Sequence, residues 1–253
     1  MINIVNRNWT LENIDTVLFD KDGTFIDLHY FWGKMTEMRS NEVIKYFSLD
    51  NSIFPVLCKT LGYDIESKKM LSDGITALYS RSKIIEIFKK NLENFNVYTD
   101  DKNIEKIFDN VSIDFYRDIQ EYTIPIKEAI EFIKELRKLG VKIGIVTSDS
   151  VVSTELTIKN FHWESLFDVV IGRESSDFTK ESGVPTKLAL EAINSSPDKT
   201  IMIGDAPMDY ISAQNADISK VILVSTGQVA YNDLAQISPF VVKSLEDVKC
   251  FKS

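Results

Sequence analysis

Short apolar runs recur along the chain and alternate with segments whose apolar residues have helical spacing. The apolar runs, rich in β-branched residues, lie at 16–19, 141–146, 169–171, 201–203 and 221–224. Such runs are typical of strands buried on both faces of a parallel sheet. The helical patterns, each starting at or just after a proline, lie at 126–139, 185–193 and 207–216. This order predicts an α/β fold with a doubly wound parallel sheet and a ligand crevice at the carboxyl ends of its strands.

One long segment interrupts the alternation, from about residue 28 to residue 122. It contains no convincing buried strand, whereas residues 82–92 and 103–117 have helical spacing. We therefore expect a core domain formed by residues 1–27 and 123–253 and an inserted helical cap domain formed by residues 28–122. Because the insertion lies between the first and second strands of the predicted sheet, the cap could cover the crevice as a lid.

The composition predicts an ordered globular protein, with 44% hydrophobic and 26% charged residues and only 10 Gly and 6 Pro among 253 residues. The formal net charge is -9 and no basic cluster stands out, so we expect no nucleic acid partner. No apolar run approaches the roughly 18 residues that span a bilayer, and we expect neither secretion nor a membrane partner. Cys58 and Cys250 lie far apart and fit no disulfide framework, which favours a cytoplasmic location.

The first candidate site follows directly after the first apolar run. Residues 20–24 read Asp-Lys-Asp-Gly-Thr, which places two carboxylates and a tight glycine turn at the end of a strand. Such a spacing arises by chance in about one of several hundred chains of this length. Asp-Gly is also a common surface turn. The motif on its own favours a functional site at Asp20 and Asp22 over a simple turn.

A second acidic pair, Asp205 and Asp209, follows the apolar run at 201–203. If its strand lies beside the first strand, these two carboxylates converge with Asp20 and Asp22. Like charges about 4 Å apart repel by roughly 4 kcal/mol at an effective dielectric constant near 20, so such a cluster must either protonate or bind a cation. Mg²⁺, a hard divalent ion that prefers oxygen ligands, is the simplest candidate.

Two weaker candidates lie after the second and third apolar runs. Thr147 and Ser148 close the run at 141–146, where a hydroxyl and neighbouring backbone amides can hold a phosphoryl oxygen. Lys180 lies in a polar loop that follows the third run. Taken singly, these are most often ordinary surface residues, but all four candidates occur in order after successive strands.

In this order the motifs resemble those of the haloacid dehalogenase superfamily. That family has Asp-x-Asp-x-Thr, a strand-end Thr or Ser, a Lys, and Gly-Asp-x-x-x-Asp, which correspond here to residues 20–24, 147, 180 and 204–209. The resemblance covers nearly the whole chain, since one cap type of the family is a helical insertion at this place. Phe-Asp-Lys-Asp-Gly-Thr at 19–24 is most similar to phosphoglycolate-phosphatase-type members.

The resemblance implies a magnesium-dependent phosphatase acting on a small phosphorylated metabolite, either phosphoglycolate-like or a sugar phosphate. Asp20 would be the nucleophile that forms an aspartyl-phosphate. Asp22 would protonate the leaving group and then activate water. Thr147, Ser148 and Lys180 would hold the phosphoryl group.

The resemblance also implies the ligands of the metal. Asp20, Asp205 and the backbone carbonyl of Asp22 would bind Mg²⁺, and Asp209 would orient the metal shell.

The lysine motif departs from the family pattern. Family members often have Lys-Pro-x-Pro, whereas residues 180–187 read Lys-Glu-Ser-Gly-Val-Pro-Thr-Lys. The spacing from Lys180 to the following helix matches the family without a gap, so we prefer Lys180 to Lys187. Lys187 should lie within that helix, where it has less freedom to reach a phosphate.

Several other interpretations compete with this one. A dehalogenase of the same superfamily attacks carbon and needs no acid at Asp22, and a P-type ATPase requires transmembrane helices. A phosphomutase of the β-phosphoglucomutase type keeps every core motif and is the main alternative, followed by a binding protein that has lost catalysis. In the cap, Arg39 and Arg81 could bind a substrate carboxylate, although solvated surface arginines are more common. We assign no catalysis to His29.

Overall fold

The structure is a computed structural model that describes residues 1–252. The strands are β1 (Ile2–Asn6), β2 (Trp9–Ile14), β3 (Thr16–Phe19), β4 (Tyr63–Asp64), β5 (Lys69–Met70), β6 (Lys142–Val146), β7 (Val169–Ile171), β8 (Thr200–Gly204), β9 (Lys220–Val224), β10 (Val241–Val242) and β11 (Lys249–Lys252). The α-helices are α1 (Leu28–Phe47), α2 (Phe54–Thr60), α3 (Ile75–Leu78), α4 (Arg81–Leu92), α5 (Asp101–Arg117), α6 (Lys127–Lys138), α7 (Val151–Asn160), α8 (Val184–Ala192), α9 (Pro207–Asn215) and α10 (Tyr231–Leu234). None of these helices has an apolar stretch long enough to cross a membrane.

The chain divides into two compact units. The first unit comprises Met1–Asp27 and the chain from Ile124 onward, and the second unit comprises Leu28–Thr123. All the strands of the described residues except β4 and β5 belong to the first unit.

A six-stranded parallel sheet forms the centre of the first unit, in the order β10-β9-β8-β3-β6-β7. The five apolar runs of the sequence form β3 and β6 to β9, which confirms the predicted α/β fold with a parallel sheet. Phe19, the last residue of β3, pairs with Ile145 on one side and with Ile203 on the other. The carboxyl ends of these three central strands therefore meet at one edge of the sheet.

A second sheet of the first unit was not predicted. It is antiparallel, in the order β11-β1-β2. Only Leu11 and Ile14 of β2 are buried, and no residue of β11 is fully buried. Strands with so few buried positions carry little hydrophobic pattern, so the sequence does not distinguish them from loops.

The second unit is mainly helical, and the two predicted helical segments fall within α4 and α5. The expectation that this region contains no strand is wrong in one respect, because β4 and β5 form a short antiparallel hairpin. Tyr63 and Met70 pair across it and are both buried. With two residues in each strand, the hairpin is too short to produce an alternating pattern.

Helix α6 shows how the first unit is held together. Its buried residues are Ala129, Ile130, Phe132, Ile133 and Leu136, whereas Glu131, Lys134 and Glu135 are exposed. Gly140, with φ of +82°, follows the helix in the left-handed conformation that terminates many helices. Packing of this apolar face, rather than helix propensity, should provide most of the stability of α6.

We expect Ile133→Ala to lower the free energy of unfolding by about 2 to 5 kcal/mol, because Ile133 is completely buried and its truncation leaves a cavity. Urea denaturation followed by circular dichroism measures this change. The matched control is Lys134→Ala at the next, exposed position of the same helix, which should change stability by less than about 0.5 kcal/mol. Equal effects of the two substitutions would contradict the assignment of the buried face.

Candidate active site

The Asp20 loop leaves the end of β3 in a tightly bonded turn. The Asp20 amide donates to the carbonyl of Ile203 at 2.8 Å, which continues the pairing of β3 with β8 by one residue. The Lys21 carbonyl then accepts from the amides of the residues at positions 24, 25 and 26, at 3.0 to 3.2 Å. Gly23 has φ of +89°, and a Cβ there would lie 2.4 Å from an oxygen of Asp205. Only glycine therefore satisfies both the turn and the neighbouring carboxylate.

Asp205 and Asp209 are positioned by β8 and the first turn of α9. Asp205 directly follows Gly204, the last residue of β8. The Ala206 amide donates to Oδ2 of Asp209 at 3.0 Å, so the Asp209 carboxylate caps the helix. This capping bond leaves the other oxygen of Asp209 for contacts at the strand ends.

Three carboxylates and one ammonium group converge at the ends of β3 and β8. Asp20, Asp205 and Asp209 each offer one oxygen, all within 4.8 Å of one another, and all three residues are buried. Nζ of Lys180 lies 2.5 Å from Oδ1 of Asp20 and 2.6 Å from Oδ1 of Asp209. Lys180 begins a one-turn 3₁₀ helix after β7. The structure thus brings together four residues that the sequence analysis selected from separate motifs.

Burial and mutual repulsion shift the pKa values of these groups. Burial raises the pKa of Asp20 to about 7, with Lys180 opposing the rise and Asp209 adding to it. Burial and the charges of Asp209 and Asp20 raise the pKa of Asp205 well above its ordinary value. The pKa of Lys180 is raised, since Asp20 and Asp209 outweigh the effect of its burial. The arrangement is therefore short of positive charge when only protein groups are present.

The residues at this position fit a divalent cation. Among residues 1–252, no Lys, Arg or His forms an ion pair with Asp205, although this carboxylate is only 3% exposed. A Cβ at Gly227 would lie 1.6 Å from Oδ2 of Asp205, so a side chain at position 227 would collide with this carboxylate. Three adjacent carboxylates in such a setting are the oxygen donors that Mg²⁺ prefers.

Asp22 lies at the same loop, but its carboxylate has a different partner. Oδ1 of Asp22 lies 2.9 Å from Nζ of Lys21, and the same Nζ lies 2.8 Å from Oδ2 of Asp149. Lys21 is completely buried, and its pKa is raised because Asp149 and Asp22 outweigh the effect of burial. Burial tends to raise the pKa of Asp149, but Lys21 lowers it below its ordinary value.

Thr147 and Ser148 follow β6, the strand beside β3. The Thr147 amide donates to the carbonyl of Ile171, and its hydroxyl accepts from the Asp149 amide at 3.1 Å. Ser148 is exposed and its hydroxyl donates to the sulfur of Met208 at 3.4 Å. Within residues 1–252, neither hydroxyl is hydrogen-bonded to Asp20 or Lys180.

The alternative lysine, Lys187, is exposed within α8 and lies 3.6 Å from the exposed Asp217. Lys187 therefore does not contact Asp20, whereas Lys180 forms an ion pair with it.

In the second unit, the three residues considered for the cap have structural partners. Nδ1 of His29 accepts from the Met70 amide at 3.1 Å, which ties α1 to the β4–β5 hairpin. The Arg39 guanidinium is buried 4.6 Å from the ring centroid of Phe108. Arg39 is therefore not a solvated surface arginine. Arg81 forms an ion pair with Asp109 on α5.

Four residues that contact the strand-end carboxylates or their loops were not predicted from the sequence. Lys21 and Asp149 form the second buried ion cluster, and Gly227 faces Asp205. The Thr226 hydroxyl donates to the Gly23 carbonyl at 2.6 Å. Their positions carried a signal in the sequence, because Asp149 lies three residues after β6, and Thr226 and Gly227 lie two and three residues after β9.

Buried carboxylates and a lysine at the carboxyl edge of a parallel α/β sheet are typical of enzymes whose chemistry depends on acidic side chains. The model of the haloacid dehalogenase-like hydrolase family matches residues 14–217. Since this match spans most of the chain, the protein belongs to the haloacid dehalogenase-like hydrolase family.

Curated relatives and solved structures agree with this assignment. Pyrophosphatase PpaX of Bacillus mycoides (strain KBAB4) is 26% identical over 212 residues, 84% of each chain. Pyrophosphatase PpaX of Bacillus cereus (strain G9842) is 25% identical over 206 residues, 80% of each chain. A Haemophilus somnus structure described as a predicted phosphoglycolate phosphatase has a TM-score of 0.71 at 13% identity, covering 94% of this chain and 97% of its own.

A Thermotoga maritima structure whose description names a β-phosphoglucomutase has a TM-score of 0.66 at 16% identity, covering 92% of this chain and 96% of its own. At these identities the two structural likenesses establish the fold.

We expect Mg²⁺ to raise the Tm of the protein, because a ligand that binds only the folded state stabilises it by about 2.7 kcal/mol at a concentration of 100 Kd. Asp205→Asn should remove most of this increase, since it removes the carboxylate that has no basic partner. Thermal denaturation with and without Mg²⁺ measures the difference. Asp217→Asn, at an exposed position of the same unit, is the control and should keep the full increase. An undiminished increase in Asp205→Asn would contradict this assignment.

Proposed function

We propose that the protein is a magnesium-dependent phosphatase that hydrolyses a small phosphate monoester through an aspartyl-phosphate on Asp20. The observation that carries the proposal is the buried contact of Lys180 with both Asp20 and Asp209, beside Asp205, which no basic side chain of residues 1–252 pairs with. The family assignment makes hydrolysis the expected reaction. The two free cysteines, Cys58 and Cys250, support a reducing, cytoplasmic location.

In the first step, a carboxylate oxygen of Asp20 attacks the phosphorus atom and the bond from phosphorus to the leaving oxygen breaks. The protonated Asp22 carboxyl gives its proton to that oxygen, so the substrate leaves as an alcohol. Lys180 neutralises charge on the phosphoryl oxygens, and the strand-end groups of Thr147 and Ser148 hold them in place. The phosphoryl group is then covalently bound to Asp20.

In the second step, the Asp22 carboxylate accepts a proton from water, and the water oxygen attacks the phosphorus atom of the aspartyl-phosphate. The bond between Asp20 and phosphorus breaks, which restores the carboxylate and releases inorganic phosphate. Asp22 therefore has to reach the leaving oxygen first and the attacking water afterwards.

Asp20, Asp205 and the backbone carbonyl of Asp22 would hold Mg²⁺, and Asp209 would orient the metal shell. When bound, the ion supplies the positive charge needed to bring an anionic substrate beside three carboxylates. A protein with a net charge of -9 offers little long-range attraction for phosphate, so the local centre has to provide it.

The candidate substrates are small phosphate esters and inorganic pyrophosphate. The resemblance to phosphoglycolate-phosphatase-type members favours phosphoglycolate or a sugar phosphate, and the PpaX relatives are named as pyrophosphatases. Inorganic pyrophosphate therefore belongs in the same panel of substrates. Comparison of kcat/KM across small phosphate esters and pyrophosphate identifies the preferred class.

A phosphomutase of the β-phosphoglucomutase type is the second candidate, and it shares every motif of the site. Incubation with glucose phosphates separates the two activities, since a phosphatase releases inorganic phosphate whereas a mutase yields an isomeric sugar phosphate.

We expect Asp20→Asn to lower kcat/KM by about 10⁴-fold or more, because the amide cannot act as the nucleophile. Phosphate release from p-nitrophenyl phosphate with Mg²⁺ measures the rate, and EDTA should also abolish it. Lys187→Met is the control, since Lys187 lies on the surface of α8 away from Asp20. Activity that survives Asp20→Asn in pure protein would refute the assignment of the nucleophile.

Asp22→Asn should allow phosphorylation of Asp20 by a substrate with a good leaving group but should slow hydrolysis of the aspartyl-phosphate by about 10² to 10⁴-fold. A rapid-mixing experiment with p-nitrophenyl phosphate should show a burst of nitrophenol equal to the enzyme concentration, followed by slow turnover. With an alkyl phosphate the burst should disappear, because a poor leaving group needs the proton from Asp22. Unchanged turnover with both substrates would rule out the acid and base roles.

A further inference from the structure

Lys21, between the two aspartates of the first motif, is the most deeply buried charged side chain of the site. Its exposure is 0%, and its Nζ lies 2.9 Å from Oδ1 of Asp22 and 2.8 Å from Oδ2 of Asp149. Removing an ammonium group from water is costly unless carboxylates compensate for it. The two carboxylates that compensate here come from two different loops.

Asp149 anchors this ammonium group to the loop that carries Thr147. Its Oδ1 accepts from the Ser150 amide at 2.7 Å, and its own amide donates to the Thr147 hydroxyl at 3.1 Å. The Asp149 carbonyl accepts from the Arg173 amide at 3.0 Å, which connects the same residue to the segment after β7. The backbone of Asp149 is therefore held by two hydrogen bonds, and its carboxylate by the Ser150 amide and Lys21.

The backbone of Lys21 is equally constrained, because its carbonyl accepts three successive amides in the turn that follows β3. With its backbone held by the turn and its Nζ held by Asp149, the Lys21 side chain presents a fixed positive charge to Asp22. The ion pair therefore restricts where the Asp22 carboxylate can lie.

The two buried lysines of residues 1–252 form matching arrangements. Lys180 joins Asp20 to Asp209, and Lys21 joins Asp22 to Asp149. Each lysine thus connects one carboxylate of the Asp20 loop to one carboxylate that follows a strand neighbouring β3. Stability alone does not require this, since a buried ion pair is often replaced by apolar residues without loss.

We propose that Lys21 is a positioning residue that holds the Asp22 carboxylate in register with the Thr147 loop, with Asp149 as its anchor. This inference rests on the proposed function, because it assigns Asp22 the proton transfers of that mechanism. Lys21 does not contact the substrate in this proposal. Its effect on the rate comes only through Asp22.

The test is Lys21→Met, which keeps the length of the side chain and removes its charge. We expect kcat/KM to fall by about 10 to 100-fold with an alkyl phosphate, whose departure needs a well-placed acid. With p-nitrophenyl phosphate, whose leaving group needs no proton, kcat/KM should change by less than about threefold. Asp149→Asn should produce the same selectivity to a smaller extent.

The decisive measurement combines Lys21→Met with Asp22→Asn. If Lys21 acts through Asp22, adding Lys21→Met to Asp22→Asn should reduce kcat/KM for the alkyl phosphate by less than about twofold further. Equal losses with both substrates, or an undiminished loss in the Asp22→Asn background, would assign Lys21 a purely structural role and overturn the proposal. Lys142→Met is the matched control. Lys142 begins β6, at the end of the strand away from Thr147, and its Nζ donates to the carbonyls of Ile193 and Asn194.

The experiment also separates this inference from the proposed function. If the wild-type protein shows no activity that depends on Asp20, the proposed function itself fails. If wild type and Asp22→Asn behave as expected but Lys21→Met does not, only the role of Lys21 is wrong. If Lys21→Met is unfolded at the assay temperature, the double variant Lys21→Met/Asp149→Asn takes its place. This variant removes the charges of both Lys21 and Asp149, and its kcat/KM is compared for the same two substrates.

Discussion

The repulsion among buried carboxylates at one edge of the parallel sheet is the constraint on which the site depends. Among residues 1–252, the buried acidic side chains are Asp20, Asp22, Asp149, Asp205 and Asp209, and all five lie just beyond the ends of β3, β6 and β8. At an effective dielectric constant near 20, each close pair costs roughly 4 kcal/mol. Only two buried lysines oppose this charge, so the fold tolerates the cluster by distributing these lysines between the loops.

This distribution of the two lysines leaves Asp205 without a positively charged partner among residues 1–252. Lys180 and Lys21 each bridge two carboxylates, and Asp205 has neither as an ion-pair partner. The raised pKa of Asp205 follows from its burial and from the neighbouring charges of Asp209 and Asp20. A divalent cation beside Asp205 would remove the same penalty. The electrostatic cost of this cluster and the proposed affinity for a metal ion would thus have one origin.

Much of the sheet was predictable from sequence because its strands are buried on both faces. Uninterrupted apolar runs such as 201–203 leave little ambiguity, and the order of runs and helices defines a parallel sheet. The antiparallel sheet formed by β1, β2 and β11 was not predicted, because β2 and β11 have few buried residues and because β11 pairs with β1 at the other end of the chain. The β4–β5 hairpin was missed because of its two-residue strands.

Within the site, too, the residues of local motifs could be predicted from the sequence, whereas contacts between distant residues could not. Asp20, Asp205 and Asp209 could be selected because each follows a recognisable strand in a motif with fixed spacing. The partnership of Lys21 with Asp149 could not, since it joins side chains 128 positions apart whose proximity depends on how β3 pairs with β6. A lysine between two aspartates looks like a solvent-exposed residue until the fold shows that its side chain points inward.

The close approach of Gly23 and Gly227 to Asp205 has a consequence for the position of this acidic side chain. The Asp205 carboxylate occupies the space that a Cβ atom would fill at either glycine. The position of the Asp205 carboxylate is therefore fixed from two sides, and a side chain at position 23 or 227 would displace it.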